Sequence, residues 1–189
     1  MRTRALAGLG LAAALVVASP ASALTVVVAD NTPEIALRVG ATGGTISLVT
    51  FAVAGATAGN ATPVLGTTNA AAGSAQGANF PTACPANHVR IWTRARSTLA
   101  APRVATLTVN GSGSLTSGAN SIPFTNFDWI TSGGTEIASG GFSGAPSQPL
   151  LTFNTSREIS VCLRFRFLNT TVYPSGTYNG QLVYTLQMP

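Results

Sequence analysis

Residues 158–188 read EISVCLRFRFLNTTVYPSGTYNGQLVYTLQM, and the period of that stretch decides the fold class. Ile159, Val161, Leu163, Phe165 and Phe167 fall on one face of an extended chain, with Ser160, Cys162, Arg164 and Arg166 on the other. Tyr178, Leu182, Tyr184, Leu186 and Met188 repeat the pattern against Asn179, Gln181, Val183, Thr185 and Gln187. Successive side chains of a strand point to opposite faces, so an apolar residue at every second position marks a strand buried on one side. Between the two runs, Tyr173-Pro174-Ser175-Gly176 joins a residue of fixed φ to one that tolerates positive φ. That predicts a chain reversal, and hence a β-hairpin forming one wall of a sandwich.

The alternation recurs upstream. Residues 24–29 form a short apolar run closed by the turn cluster Asp30-Asn31-Thr32-Pro33, and Ile35, Leu37 and Val39 then alternate with Glu34, Ala36 and Arg38. Residues 45–54 are apolar on both faces, as in a strand buried on two sides or lying at an interface. In residues 88–96, Val89, Ile91, Thr93 and Ala95 oppose His88, Arg90, Trp92, Arg94 and Arg96. Further strands are predicted over 103–109, 124–130 and 150–153, with a short segment at 136–138. Residues 55–79 are rich in Ala, Gly, Thr and Asn; they read as a long loop with a short strand near Val64 and Leu65, or as a flexible binding loop. Gly, Pro, Asn and Ser clusters separate these runs, and no amphipathic helix interrupts them. The expected fold is all-β, a single immunoglobulin-like or Greek-key β-sandwich of about seven to nine strands.

The N-terminus is set apart from this domain. Arg2 and Arg4, an apolar run over residues 5–18 and Ala21-Ser22-Ala23 have the order of a secretory signal peptide. The apolar run is shorter than the ~20 residues a membrane-spanning helix needs. Cleavage after residue 23 leaves residues 24–189 as one domain, with eight arginines against five acidic residues and no lysine. A net charge of +3 does not by itself call for a nucleic-acid partner. The expected location is the periplasm, the bacterial cell surface or the medium. Cys84 and Cys162 are the two cysteines. In an exported chain an even count predicts a disulfide, with a reactive thiol pair or metal site as the sharper alternative.

Residues able to carry catalysis are scarce. His88 is the sole imidazole, and no serine sits in a G-x-S-x-G turn. The acids Asp30, Glu34, Asp128, Glu136 and Glu158 lie at turns and strand ends, where solvated or Arg-paired carboxylates belong. No glycine-rich loop leads into a helix that would cradle phosphate. A non-enzymatic protein without cofactor or metal is expected. Four Asn-x-Ser/Thr sequences, at Asn60, Asn110, Asn154 and Asn169, arise by chance in a Thr- and Asn-rich chain whose leader has a bacterial look, and are expected to be unmodified.

One constellation suggests binding: Arg90, Trp92, Arg94 and Arg96 on one strand, and Arg164 and Arg166 beside Cys162 on another. A Cys84–Cys162 bond would draw the two strands together and merge their outward faces. Guanidinium groups around an indole suit an anionic glycan, a lipid headgroup or a polynucleotide. The simpler alternative is an outward face kept soluble by arginine, with Trp92 covered by arginine stems.

The stretch 174–186, in which Gly176-Thr177-Tyr178-Asn179-Gly180 opens an alternating final strand, resembles the C-terminal end of bacterial chaperone-usher pilins and spore-coat-U-like secreted proteins. The resemblance implies an incomplete immunoglobulin-like fold. A periplasmic chaperone would cap its groove until the N-terminal strand of another subunit fills it, by strand addition. The donor would be Leu24, Val26 and Val28, or Ile35, Leu37 and Val39; Pro33 prevents one long donor spanning both. Cys84 and Cys162 lie far apart in sequence, unlike the close N-terminal pair of type-1-like pilins. The function expected is a secreted structural or adhesive surface subunit, partnered by copies of itself or related subunits. The alternative is a monomeric extracellular module for a carbohydrate or anionic ligand.

Overall fold

The computed structural model describes residues 34–40, 48–69, 84–97 and 103–189. By internal contacts the chain divides into Met1–Asp30 and Asn31–Pro189, and every described residue belongs to the second unit. The expected signal peptide, the run at 24–29 and part of the 55–79 loop lie outside the described residues.

The described part is all-β and arranged as a sandwich. Its strands are β1 (Glu34–Val39), β2 (Val49–Thr50), β3 (Val64–Leu65), β4 (Thr67–Thr68), β5 (Val89–Arg96), β6 (Val104–Asn110) and β7 (Ser114–Ser117). There follow β8 (Asn120–Pro123), β9 (Phe127–Ser132), β10 (Gly140–Gly141), β11 (Gln148–Asn154), β12 (Arg157–Phe167) and β13 (Val183–Gln187). One sheet runs β1-β5-β12-β9-β10, with β3 also on β12; the other runs β11-β6-β13. Every pairing is antiparallel.

The core lies where the alternation places it. Val89, Ile91, Thr93 and Ala95 of β5 and Ile159, Val161, Leu163, Phe165 and Phe167 of β12 are buried. They meet Ala105, Leu107 and Val109 of β6, all fully enclosed, with Phe153 and Leu186 from the flanking strands. Aromatic rings fill one end: Phe142 lies 5.0 Å from Trp129 and 6.1 Å from Phe165. The chain changes sheets between β11 and β12 within two residues. There the Thr155 N–H donates to Arg103 O at 2.8 Å, and the Ser156 N–H to Ala95 O at 2.7 Å, with Ser156 at φ 66.

The hairpin predicted from residues 158–188 does not form. β12 pairs with β5 and β9, whereas β13 pairs with β6 in the opposite sheet. The physical reason is that both edges of β12 are occupied, so the chain after Phe167 must cross the sandwich. Tyr173 packs 6.4 Å from both Phe167 and Tyr178 and accepts a hydrogen bond from Asn126. Thr116 and Asn179 exchange backbone hydrogen bonds of 2.8 and 3.0 Å. Gly180 passes so close to β7 that a Cβ there would lie 2.8 Å from the Ser114 carbonyl. The Gly-x-Tyr-x-Gly residues therefore clasp the β7–β8 hairpin instead of opening the final strand, which begins only at Val183.

Other expectations need correction. Only Val49–Thr50 of the apolar run 45–54 forms a described strand, bonded to Thr67–Thr68; residues 52–54 are exposed, and residues 45–47 lie outside the described set. Residues 136–138 form no strand, because Ile137 turns into the core while its carbonyl and that of Ala138 accept from Thr131 and Trp129. The β7–β8 hairpin, reversed at Gly118 with φ 57, is not predicted by alternation among so many small polar residues.

Asn169 organises the loop that begins at the short 3-10 turn Gly55–Thr57. Its side chain is 1% exposed; its Oδ1 accepts from the Gly59 N–H, and its Nδ2 lies within 2.9 Å of Thr57 O and Asn60 Oδ1. An amide so enclosed offers no access to a glycosylating enzyme. Asn169→Ala would strand the Gly59 N–H and three acceptors, Thr62 O among them, so it should cost about 2 kcal/mol or more in urea unfolding. The cysteines are bonded, with Cα atoms 5.6 Å apart and a sequence separation of 78. By loop entropy, the double change Cys84→Ser and Cys162→Ser should lower unfolding free energy by roughly 4 kcal/mol, and adding reductant to the variant should change nothing further.

Candidate functional site

The outward face of the larger sheet collects most of the charge. Register alone assigns the neighbours: Glu34 lies beside Arg96, Arg38 beside Trp92, Glu158 beside Arg94, and Cys162 beside Arg90. Further along, Arg164 faces Ile130 and Arg166 faces Asp128. All six arginine and tryptophan positions expected on one surface therefore do lie on one sheet face, but they do different things.

Arg90 is not a surface residue. It is 6% exposed, and its Nε donates to Cys84 Sγ at 3.5 Å, packing the guanidinium against the disulfide. Burial lowers its pKa, because the charged form loses hydration. Arg166 forks onto Asp128: Nε reaches Oδ1 at 2.8 Å and Nη2 pairs with Oδ2. That hydrogen bonding raises the arginine's pKa against a smaller opposing effect of burial. Trp92 is half-buried, its indole N–H donating to Glu158 Oε1 at 2.8 Å. Arg94 is ion-paired to Glu34.

Arg94 and Arg96 converge at the end of the face with Ser156, Arg157 and Glu158, around an open cleft of about 420 Å³. Sequence reasoning misses Arg157. Strand alternation assigns it to the inward side with Ile159, and only its place at the first position of β12 leaves it exposed. Arg38, read as opposite the apolar residues of its strand, joins the same face. Arg164 lies well away from the cleft along β12, half-buried. The candidate patch thus resolves into an arginine cleft, a buried guanidinium at the disulfide and a fixed ion pair.

Comparison of the chain with protein-family models, curated proteins and solved structures finds no match to any of them.

The residues weighed for catalysis are dispersed. His88 Nδ1 lies 2.9 Å from Ala86 O in the turn before β5, Asp128 is committed to Arg166, and Asp30 lies outside the described residues. Among the described residues no three His, Cys, Asp or Glu side chains gather to hold a metal ion. No described helix is long and apolar enough to cross a membrane. The candidate donor residues Leu24, Val26 and Val28 also lie outside the described residues.

The two ion pairs differ in burial, which sets what each contributes. Arg166 and Asp128 are 29% and 16% exposed, whereas Arg94 and Glu34 are both 35% exposed. Asp128→Leu leaves a half-buried guanidinium without its fork and should cost about 2 kcal/mol. Glu34→Leu should cost less than about 1 kcal/mol, since water replaces the carboxylate. Urea titration of both variants measures the difference.

Proposed function

We propose that the protein is a secreted, non-enzymatic structural or adhesive subunit of a bacterial surface, an immunoglobulin-like sandwich assembled by donor-strand exchange. The observation that carries this reading is the edge at β13. That strand bonds to β6 on one side, and among the described residues no strand pairs with the other. Leu186 on it is buried, Tyr184 and Met188 pack against the core, and Val183 is exposed. An added strand would gain main-chain hydrogen bonds along β13 and place alternate side chains against this apolar margin. A strand edge without a hydrogen-bonded partner among the described residues invites pairing with another chain, and β1 of the opposite sheet runs close beside this one.

The set Ile35, Leu37 and Val39 does not supply the donor. β1 is already bonded to β5 over its full length and, among the described residues, forms the edge of its own sheet. Leu24, Val26 and Val28 remain as the candidate donor, passing from one copy to the next, with a periplasmic chaperone guarding the edge beforehand. A monomeric module that binds through the arginine face is the second reading, favoured by the gathering of charge on one sheet.

Deleting residues 24–29 separates the two. A subunit should lose SDS-resistant multimers on deletion while keeping its β-sheet circular dichroism. If the full chain is already monomeric on size-exclusion chromatography, and deletion changes neither its state nor its fold, donor exchange is excluded.

A further inference from the structure

The two outer faces of the sandwich differ completely in charge. The larger sheet presents Arg38, Arg94, Arg96, Arg164 and Arg166 with Glu34, Asp128 and Glu158, an excess of two positive charges, while Arg90 lies buried at the disulfide. The smaller sheet presents Val104, Thr106, Thr108, Thr152, Thr185 and Gln187, among which none is charged. At one end of the charged face Arg94, Arg96 and Arg157 line one cleft with Glu158, and Glu34 pairs with Arg94 beside it. The Glu158 carboxylate is held in place by the Trp92 indole N–H, and Glu34 and Asp128 by the arginines they pair with.

We propose that this cleft grips the sulfate or carboxylate groups of an anionic polysaccharide, with the glycan chain continuing along the outer face of the larger sheet. Guanidinium forks match the paired oxygens of both groups and bind them through charge-assisted hydrogen bonds. The three interleaved carboxylates argue for widely spaced anions. Duplex nucleic acid carries one negative charge per ~1.7 Å and would force phosphates against them. Single-stranded nucleic acid is held by successive aromatic platforms, and among the described residues this face offers only Trp92. An acidic polysaccharide spaces its charges with hydroxyl-bearing rings, which suits arginines separated by Ser160, Ala36 and Trp92. The site is independent of whether the chain acts alone or as a subunit.

The test uses the full chain on immobilised heparin, eluted by a salt gradient, with a soluble polyuronate, neutral dextran and duplex DNA as competitors. The double change Arg96→Ser and Arg157→Ser should weaken heparin binding about a hundredfold at low salt, about tenfold for each guanidinium removed. It should also make the salt dependence shallower. The pair Thr152→Glu and Gln187→Glu removes the same net charge from the opposite face and should leave binding nearly unchanged. Arg96→Lys with Arg157→Lys keeps the charge but not the fork and should fall between parent and the serine variant, provided circular dichroism shows both folded. Competition by polyuronate as strong as by heparin assigns carboxylate recognition, and competition by heparin alone assigns sulfate. The proposal fails if the parent does not bind, if the two charge-matched double variants lose binding equally, or if DNA or dextran displaces the protein better than either acidic glycan. None of these outcomes depends on multimer formation, so it can fail while strand exchange stands, and the reverse.

Discussion

The antiparallel ladder between β5 and β12 is the constraint on which the rest depends. It brings Val89 opposite Leu163 and Ala95 opposite Arg157, joining segments more than sixty residues apart. With this register, Ile91 and Val161 face the core together while Arg90 and Cys162 face outward together. A slip of one residue would send every one of these side chains to the wrong side. The Cys84–Cys162 bond holds the outward side of the same ladder and restricts the unfolded chain at this long-range contact. Pairings of such high sequence separation form slowly, since the loop must close before the contacts stabilise it.

From that ladder the molecule extends in two directions. Across the core, β6 supplies Ala105, Leu107 and Val109 as a dry inner surface, and the corner at Thr155 and Ser156 bonds to both sheets at once. Along the chain, the segment after Phe167 crosses to the second sheet. On the way Asn169 fixes one loop and the residues around Gly180 clasp another. Tyr173, Tyr178 and Leu182 pack this crossing against the core, and the buried Asn169 amide, with its partners satisfied, specifies one arrangement of the loop.

The period of two reveals which residues face inward on β5, β6 and β12, because burial on one side leaves an unmistakable alternation. It does not reveal which strand neighbours which. Tyr173-Pro174-Ser175-Gly176 has the composition of a reversal, yet strand partners are chosen by the edges still open when the chain arrives, and β12 has none to offer β13. The β7–β8 hairpin escapes notice because Leu115 and Ile122 are its only large apolar residues. For the site, alternation places the arginines on a common face, but it cannot report depth. Arg90 and Arg94 follow the same parity, and only the disulfide lying over one of them separates a buried guanidinium from one lining a cleft. Arg157 is hidden for the opposite reason, since parity ceases to govern exposure at a strand's first residue.

Gathering an unbalanced set of ions on one side of a slab gives the molecule an electrical polarity normal to its sheets. Near a negatively charged boundary such a body experiences a torque before any contact is made, turning the guanidinium side down and the threonine side up. Copies settling on that boundary would therefore arrive with a shared orientation, and the layer they form would show its environment an uncharged, hydroxylated exterior.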